Sequence, residues 1–162
     1  MASSYTTNTG IEKPATGEQS GTWGDTTNTN FDIIDTALNG NVTLTLSGTS
    51  STLTTSDGTV SDGMNKVLVC SGSPSGTHTI TIAPNNAEKI YFVTNSSGQS
   101  VIFSQGSGAN VTLANGESRI IHCDGNGSSA AVTDFTSTMA ASTTFITDLS
   151  SGDATALAIA LG

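Results

Sequence analysis

The chain has 162 residues, with 4 Lys+Arg against 13 Asp+Glu and a formal net charge of −9. Charged residues make up only 10%, well below the roughly 25% of ordinary globular proteins. The acidic balance argues against nucleic-acid partners and anionic membrane surfaces, because only Lys13, Lys66, Lys89 and Arg119 could meet phosphates and they are scattered.

Residues 1–21 are polar, with Gly10, Pro14, Gly17 and Gly21 as breakers. Such a segment reads as an extended arm that orders by lying on a partner subunit. The spacing of Phe31, Ile34 and Leu38 predicts a helix over 26–40, with Ile33 and Ala37 widening the stripe. Thr26, Thr27 or Asn28 can supply the N-cap oxygen, and Gly40 sits where a left-handed residue ends helices. Trp23 precedes the helix and is expected to fold back on its Phe31 face.

Val42, Leu44, Leu46 and then Leu53 alternate with polar residues, predicting a strand, a turn and a weaker strand. Asp57-Gly58 and Asp62-Gly63 are turn signals. Across 64–133 the runs MNKVLVCS, HTITIA, KIYFVTN, QSVIFSQ, NVTL, ESRIIHCD and AAVTDF are separated by Gly, Pro or Asn. Short strands so punctuated predict an antiparallel sandwich or jelly-roll-like domain, and the lack of intervening helices excludes βαβ units. Residues 136–162 hold one more candidate strand, STTFITDL, and a short apolar helix, ATALAIAL. Leu157, Ile159 and Leu161 in that helix are expected to be buried or docked on a neighbouring subunit.

The expected organisation is therefore an attachment arm and amphipathic helix over 1–40, a β-domain over 41–135 and a C-terminal strand and helix over 136–162. Aromatic residues are only 5%, so an isolated copy has a thin core and oligomerisation is the expected staple. Cys70 and Cys123 both fall in apolar runs and are expected to be buried free thiols. No apolar run approaches the ~20 residues of a membrane-spanning helix. MASSYTTNTG carries neither the basic nor the apolar region of a secretory signal, so the expectation is a chain soluble in a cytoplasm until it assembles, without membrane insertion.

Two stretches carry a family resemblance. Residues 14–46, with the run GEQSGTWG, a Thr-Asn-x-Asn linker and the amphipathic helix, resemble the N-terminal segment of bacteriophage tail-fibre and related virion structural proteins. Residues 64–133 resemble the small β-domain that follows in such proteins, through IYFVTN (90–95), VIF (101–103), TLANGES (112–118) and IIHCDG (120–125). The resemblance implies a trimeric structural protein of the virion, assembled in the bacterial host cytoplasm. Long fibres continue into a shaft or receptor-binding tip, whereas this sequence stops at Gly162. A short or accessory fibre protein and a capsid decoration protein are both compatible with that.

Catalytic and metal readings are weaker. His122-Cys123-Asp124 has the residue types of a ligand cluster, but strand alternation places Cys123 opposite the other two, and no C-x-x-C or H-x-x-x-H spacing accompanies it. No G-x-S-x-G elbow is present. The carboxylates Glu12, Glu18, Glu88 and Glu117 are isolated, and turn formation accounts for most Asp residues.

The sequence thus predicts a non-enzymatic phage structural protein of the tail-fibre type, needing no metal or cofactor. Trp23, Phe31, Ile34, Leu38, Leu157, Ile159 and Leu161 are its assembly and packing residues. Expected partners are two further copies of itself, other tail or capsid proteins, and a host-surface glycan or protein reached through the Gly/Ser/Asn loops. The alternatives are a capsid decoration protein and, less favoured, a small polysaccharide-degrading tail enzyme.

Overall fold

A computed structural model describes residues 2–137. The predicted strand at 142–149 and the C-terminal apolar helix, with Leu157, Ile159 and Leu161, lie outside the described residues. Those described are mainly β, arranged in three sheets that do not close into a barrel.

A two-stranded sheet comes first, β1 (Ser4–Tyr5) and β2 (Glu12–Lys13), then one long helix, α1 (Trp23–Asn39). The chain continues through β3 (Asn41–Leu46), β4 (Ser50–Thr54), β5 (Val67–Gly72), β6 (His78–Ala83), β7 (Glu88–Asn95) and β8 (Val101–Ser104). It ends in β9 (Val111–Leu113), β10 (Ser118–Asp124) and β11 (Val132–Asp134). One sheet has the order β11-β10-β7-β5-β3 and the other β4-β6-β8-β9.

The predicted all-antiparallel arrangement is corrected here. β3, β5 and β7 pair in parallel, as do β4, β6 and β8. Among the described residues antiparallel pairing is confined to β1–β2, β8–β9, β7–β10 and β10–β11. Parallel neighbours ordinarily need a crossover of a dozen or more residues, usually a helix. In this chain each crossover is a strand of the other sheet. From β3 to β8 the chain steps between sheets at every turn, so strands consecutive in sequence are never neighbours in a sheet.

Alternation places one face of each large sheet in a shared core. Leu53, Ile80, Ile82, Val101, Phe103 and Leu113 of one sheet meet Leu68, Cys70, Tyr91, Val93, Ile121 and Cys123 of the other. Each fully buried aliphatic or aromatic side chain contributes about 1.5–3 kcal/mol. Among the described residues most buried polar groups are paired, Thr55 Oγ1 and Gln19 Oε1 being the exceptions. The Tyr91 hydroxyl donates to the Gly63 carbonyl at 2.7 Å. The Asn95 amide donates to the carbonyls of Gln99 (2.8 Å) and Leu113 (3.0 Å) and accepts from Ser97.

The two ends of the strand stack differ. At one end the sheets are tied by main-chain bonds, Val132 N–H to Ala109 C=O at 2.7 Å and Gly108 N–H to Ala130 C=O at 3.1 Å. At the other end β3 and β4 are both edge strands.

The N-terminal residues do not wait for a partner, contrary to expectation. The Gly58 N–H donates to the Gly10 carbonyl at 2.7 Å, and the Glu88 N–H to Asn8 Oδ1 at 3.0 Å. Gly10 has φ +64°, and a Cβ there would lie 2.5 Å from the Ser56 carbonyl oxygen, so only glycine allows this approach. The arm thus docks on the β-domain of its own chain.

Candidate assembly surface

Helix α1 starts three residues before its predicted boundary, with Thr22 as N-cap and no side-chain capping bond. Gly40 is also used differently. Its φ is −64°, so no left-handed turn requires glycine. It is needed for space, since a Cβ would meet the Thr36 carbonyl and lie 2.5 Å from Asn65 Oδ1.

The helix sits on the body by a modest, mostly polar side. Thr26, Thr29, Asn30, Ile33, Thr36 and Ala37 are buried or half-buried, and these positions recur every three or four residues, tracing one face. Ile33 is the only fully buried residue of α1. Asn30 holds the arm, accepting from the Glu12 N–H at 2.9 Å and donating to the Glu12 carbonyl at 2.8 Å.

The predicted packing residues therefore face outward. Trp23 is 65% exposed, Phe31 62%, Ile34 39% and Leu38 67%. Trp23 does not fold back to staple the helix. It stands as the first helical residue, open to solvent. Phe31, Ile34 and Leu38 keep their three-then-four spacing, the seam spacing of a helix that meets other helices. The helix carries Asp25, Asp32 and Asp35 and no basic residue. Structure thus brings the three seam residues onto one open face and separates them from Ile33, which sequence reasoning had placed in the same stripe.

His122 Nε2 lies 3.2 Å from Glu88 Oε1, and its ring stacks on Phe135 with centroids 5.2 Å apart. Cys123 points the other way into the core, as alternation required. Asp124 accepts from the N–H groups of Ala131 (2.9 Å) and Asn126 (3.1 Å), and these bonds hold its carboxyl below the usual range. Burial pushes both thiols, Cys70 and Cys123, up to about 12. Among the described residues no group of three or more His, Cys, Asp or Glu could hold a metal ion, and no helix is long and apolar enough to cross a membrane.

Two features escaped the sequence. Buried His78 approaches Ser51 Oγ at 2.8 Å through Nε2 and the Gly48 carbonyl at 3.3 Å through Nδ1. Nothing in the spacing of Ser51 and His78 marks that pair, because it forms across the parallel β4–β6 register. Lys89 shares a cleft of ≈150 Å³ with Lys66, Asn65 and Ala37, and burial lowers its ammonium to about 8. The chain matches no family model, no curated protein and no solved structure.

Proposed function

We propose that this chain is a non-enzymatic structural protein of a bacteriophage virion, of the tail-fibre type, which assembles as a homotrimer through α1. The observation that carries the assembly part is the open seam. Three large apolar side chains at coiled-coil spacing, with Trp23 beside them, stand 39–67% exposed on a helix whose own body fully buries only Ile33. Exposed apolar stripes of this kind mark interaction sites. Covering them supplies the staple that a core with few aromatics calls for. The two large sheets, with their common core, fit the sandwich class expected of a compact virion module. The virion assignment itself rests on the resemblance of residues 14–46 and 64–133 to tail-fibre-like proteins, as does the count of three.

In this reading the arm and α1 attach the protein, and the β-domain is the displayed part. Its Gly/Ser/Asn loops are free to meet other tail proteins or a host surface. Immunogold labelling of intact particles with quantitative mass spectrometry tests the assignment. A few copies at the tail are expected. Hundreds of copies over the head would replace the fibre reading with capsid decoration, and absence from particles would overturn both.

A further inference from the structure

The open end of the strand stack has the properties of a second contact between copies, distinct from the α1 seam. Gly40 and Leu46 direct their carbonyls to β5, accepting from Val67 and Ser73. By the alternation of a parallel ladder, the main-chain groups of Thr43 and Thr45 point away from the sheet. On β4, Thr49 accepts from Thr79, so Ser50 and Thr52 likewise direct their N–H and C=O outward. Among the described residues, two edge strands therefore present unpaired main chain side by side.

Between them runs a groove of ≈190 Å³ that reaches core side chains, among them Leu44, Leu46, Leu53 and Ile80. Val42 and Leu44 are only half-buried, whereas their counterparts further into the sheet, Leu68 and Cys70, are fully covered. Natural edges are usually blunted by Lys, Pro, bulges or a covering element. β3 and β4 have neither Lys nor Pro, and their pairing registers run without a bulge. The opposite end of the stack is closed by main-chain bonds, so among the described residues the stack has one open end.

We infer that β3 and β4 accept the edge of a second copy of this chain, extending both sheets across an interface between copies. Two observations favour a copy of the same chain as occupant. No charged residue occurs from Thr36 to Ser56 and Asp62 is the single carboxylate lining the groove, so a chain of net charge −9 meets little repulsion when it approaches its like along these strands. The edge also follows the seam directly. Leu38 lies three residues before Asn41, so copies gathered by α1 bring these edges together.

The test uses the full chain in sedimentation equilibrium and amide hydrogen exchange, with Thr43→Pro as the main variant. Proline removes an N–H that the chain itself does not use, and edge strands tolerate that. Should Thr43→Pro fail to fold, the double variant Thr45→Lys and Thr52→Lys places charge on both edges instead. The wild type is expected to reach a larger mass than either variant. The amides of Thr43, Thr45, Ser50 and Thr52 are expected to exchange on the order of tenfold more slowly in its assembled form than in dilute monomer. Equal masses for wild type and variants would overturn the inference. So would fast exchange of these amides in the assembly, or protection that persists undiminished in the dilute monomer. That last result would assign the edge to residues 138–162 of the same chain. Leu38→Ser, which acts on the seam alone, separates a failure of the α1 reading from a failure of this one.

Discussion

Ile33 and Leu38 sit on one helix, five residues apart, and their truncation should have opposite consequences. Ile33 is fully buried against the body, so Ile33→Ala removes packed volume and is expected to cost the fold about 2–5 kcal/mol. For a chain of this size that is about 2–4 °C in melting temperature per kcal/mol. Leu38 is 67% exposed, so Leu38→Ser should change the fold by no more than about 0.5 kcal/mol. Its effect falls on association. Complete burial of a leucine is worth about 1.5–3 kcal/mol, and two thirds of that remains to be gained when copies meet. The loss is then about 1–2 kcal/mol per copy. Across three copies that is about 3–6 kcal/mol, or on the order of 10²–10⁴ in the trimer association constant. Sedimentation equilibrium over a concentration series reads the second effect, and thermal melts of the dissociated chain read the first. If Leu38→Ser melts as low as Ile33→Ala, or assembles as tightly as the wild type, α1 is not a seam between copies.

Other perturbations test separate parts of the fold. Gly10→Ala places a methyl against the Ser56 carbonyl at a positive φ, so it should release residues 2–13, seen as faster exchange of the Gly58 and Glu88 amides, without unfolding the β-domain. Asn95→Ala removes the amide donor to the Gln99 and Leu113 carbonyls and the acceptor of the Ser97 N–H, leaving the Ser97 hydroxyl only its 3.3 Å bond to the Gln99 carbonyl, and should cost about 2–4 kcal/mol by denaturant titration. Neither thiol should react with a disulfide reagent until the chain unfolds. Because both thiols ionise near 12 when folded rather than near 9, the folded state holds more protons between those values, and stability should fall as pH rises through that window. Lys89 acts in the opposite sense. Its folded ammonium loses its proton near 8 rather than 10.5, so its contribution rises with pH between them. Lys89→Met should add about 1–2 kcal/mol at pH 7, after discounting for the water that still reaches the group, and should abolish that rise.

Much of the β-domain was legible because strand alternation is a local signal. The runs at 64–71, 77–82, 89–95, 99–105, 110–113 and 117–124 each overlap an observed strand, three of them falling one residue short of it at one end, and the inward positions Leu68, Ile80, Tyr91, Phe103 and Ile121 follow the period of two. Pairing direction was not legible. A short Gly- or Pro-containing gap such as SGSPSG reverses the chain, but it does not say whether the returning strand joins its predecessor's sheet or the facing one. Both solutions bury the same alternating face. What separates them is the register of strands two apart, Leu44 beside Cys70 and Ile80 beside Phe103, and that is a long-range property. The docked arm was missed for a related reason. Its bonds to the β-domain are to the main-chain N–H groups of Gly58 and Glu88, which no hydrophobic pattern records.

The direction of α1 was the most consequential ambiguity. Phe31, Ile33, Ile34, Ala37 and Leu38 span an apolar arc wide enough to serve two neighbours, and periodicity alone reads it as one stripe. The body takes only the flank bearing Ile33 and Ala37, because polar contacts on that flank fix the helix. Asn30 grips Glu12, and Gly40, tight against Thr36 and Asn65, turns the chain directly into β3. Rotating α1 to bury Phe31 and Leu38 would break the paired Asn30 bonds and unseat β2. Burying those two side chains would return a few kcal/mol, against the loss of both Asn30 bonds, Ile33 and the arm's attachment. The apolar face of Phe31, Ile34 and Leu38 is thus held outward by the polar side of its own helix, and on the proposed trimer reading an apolar arc that looks excessive for one small body serves a body and a partner together.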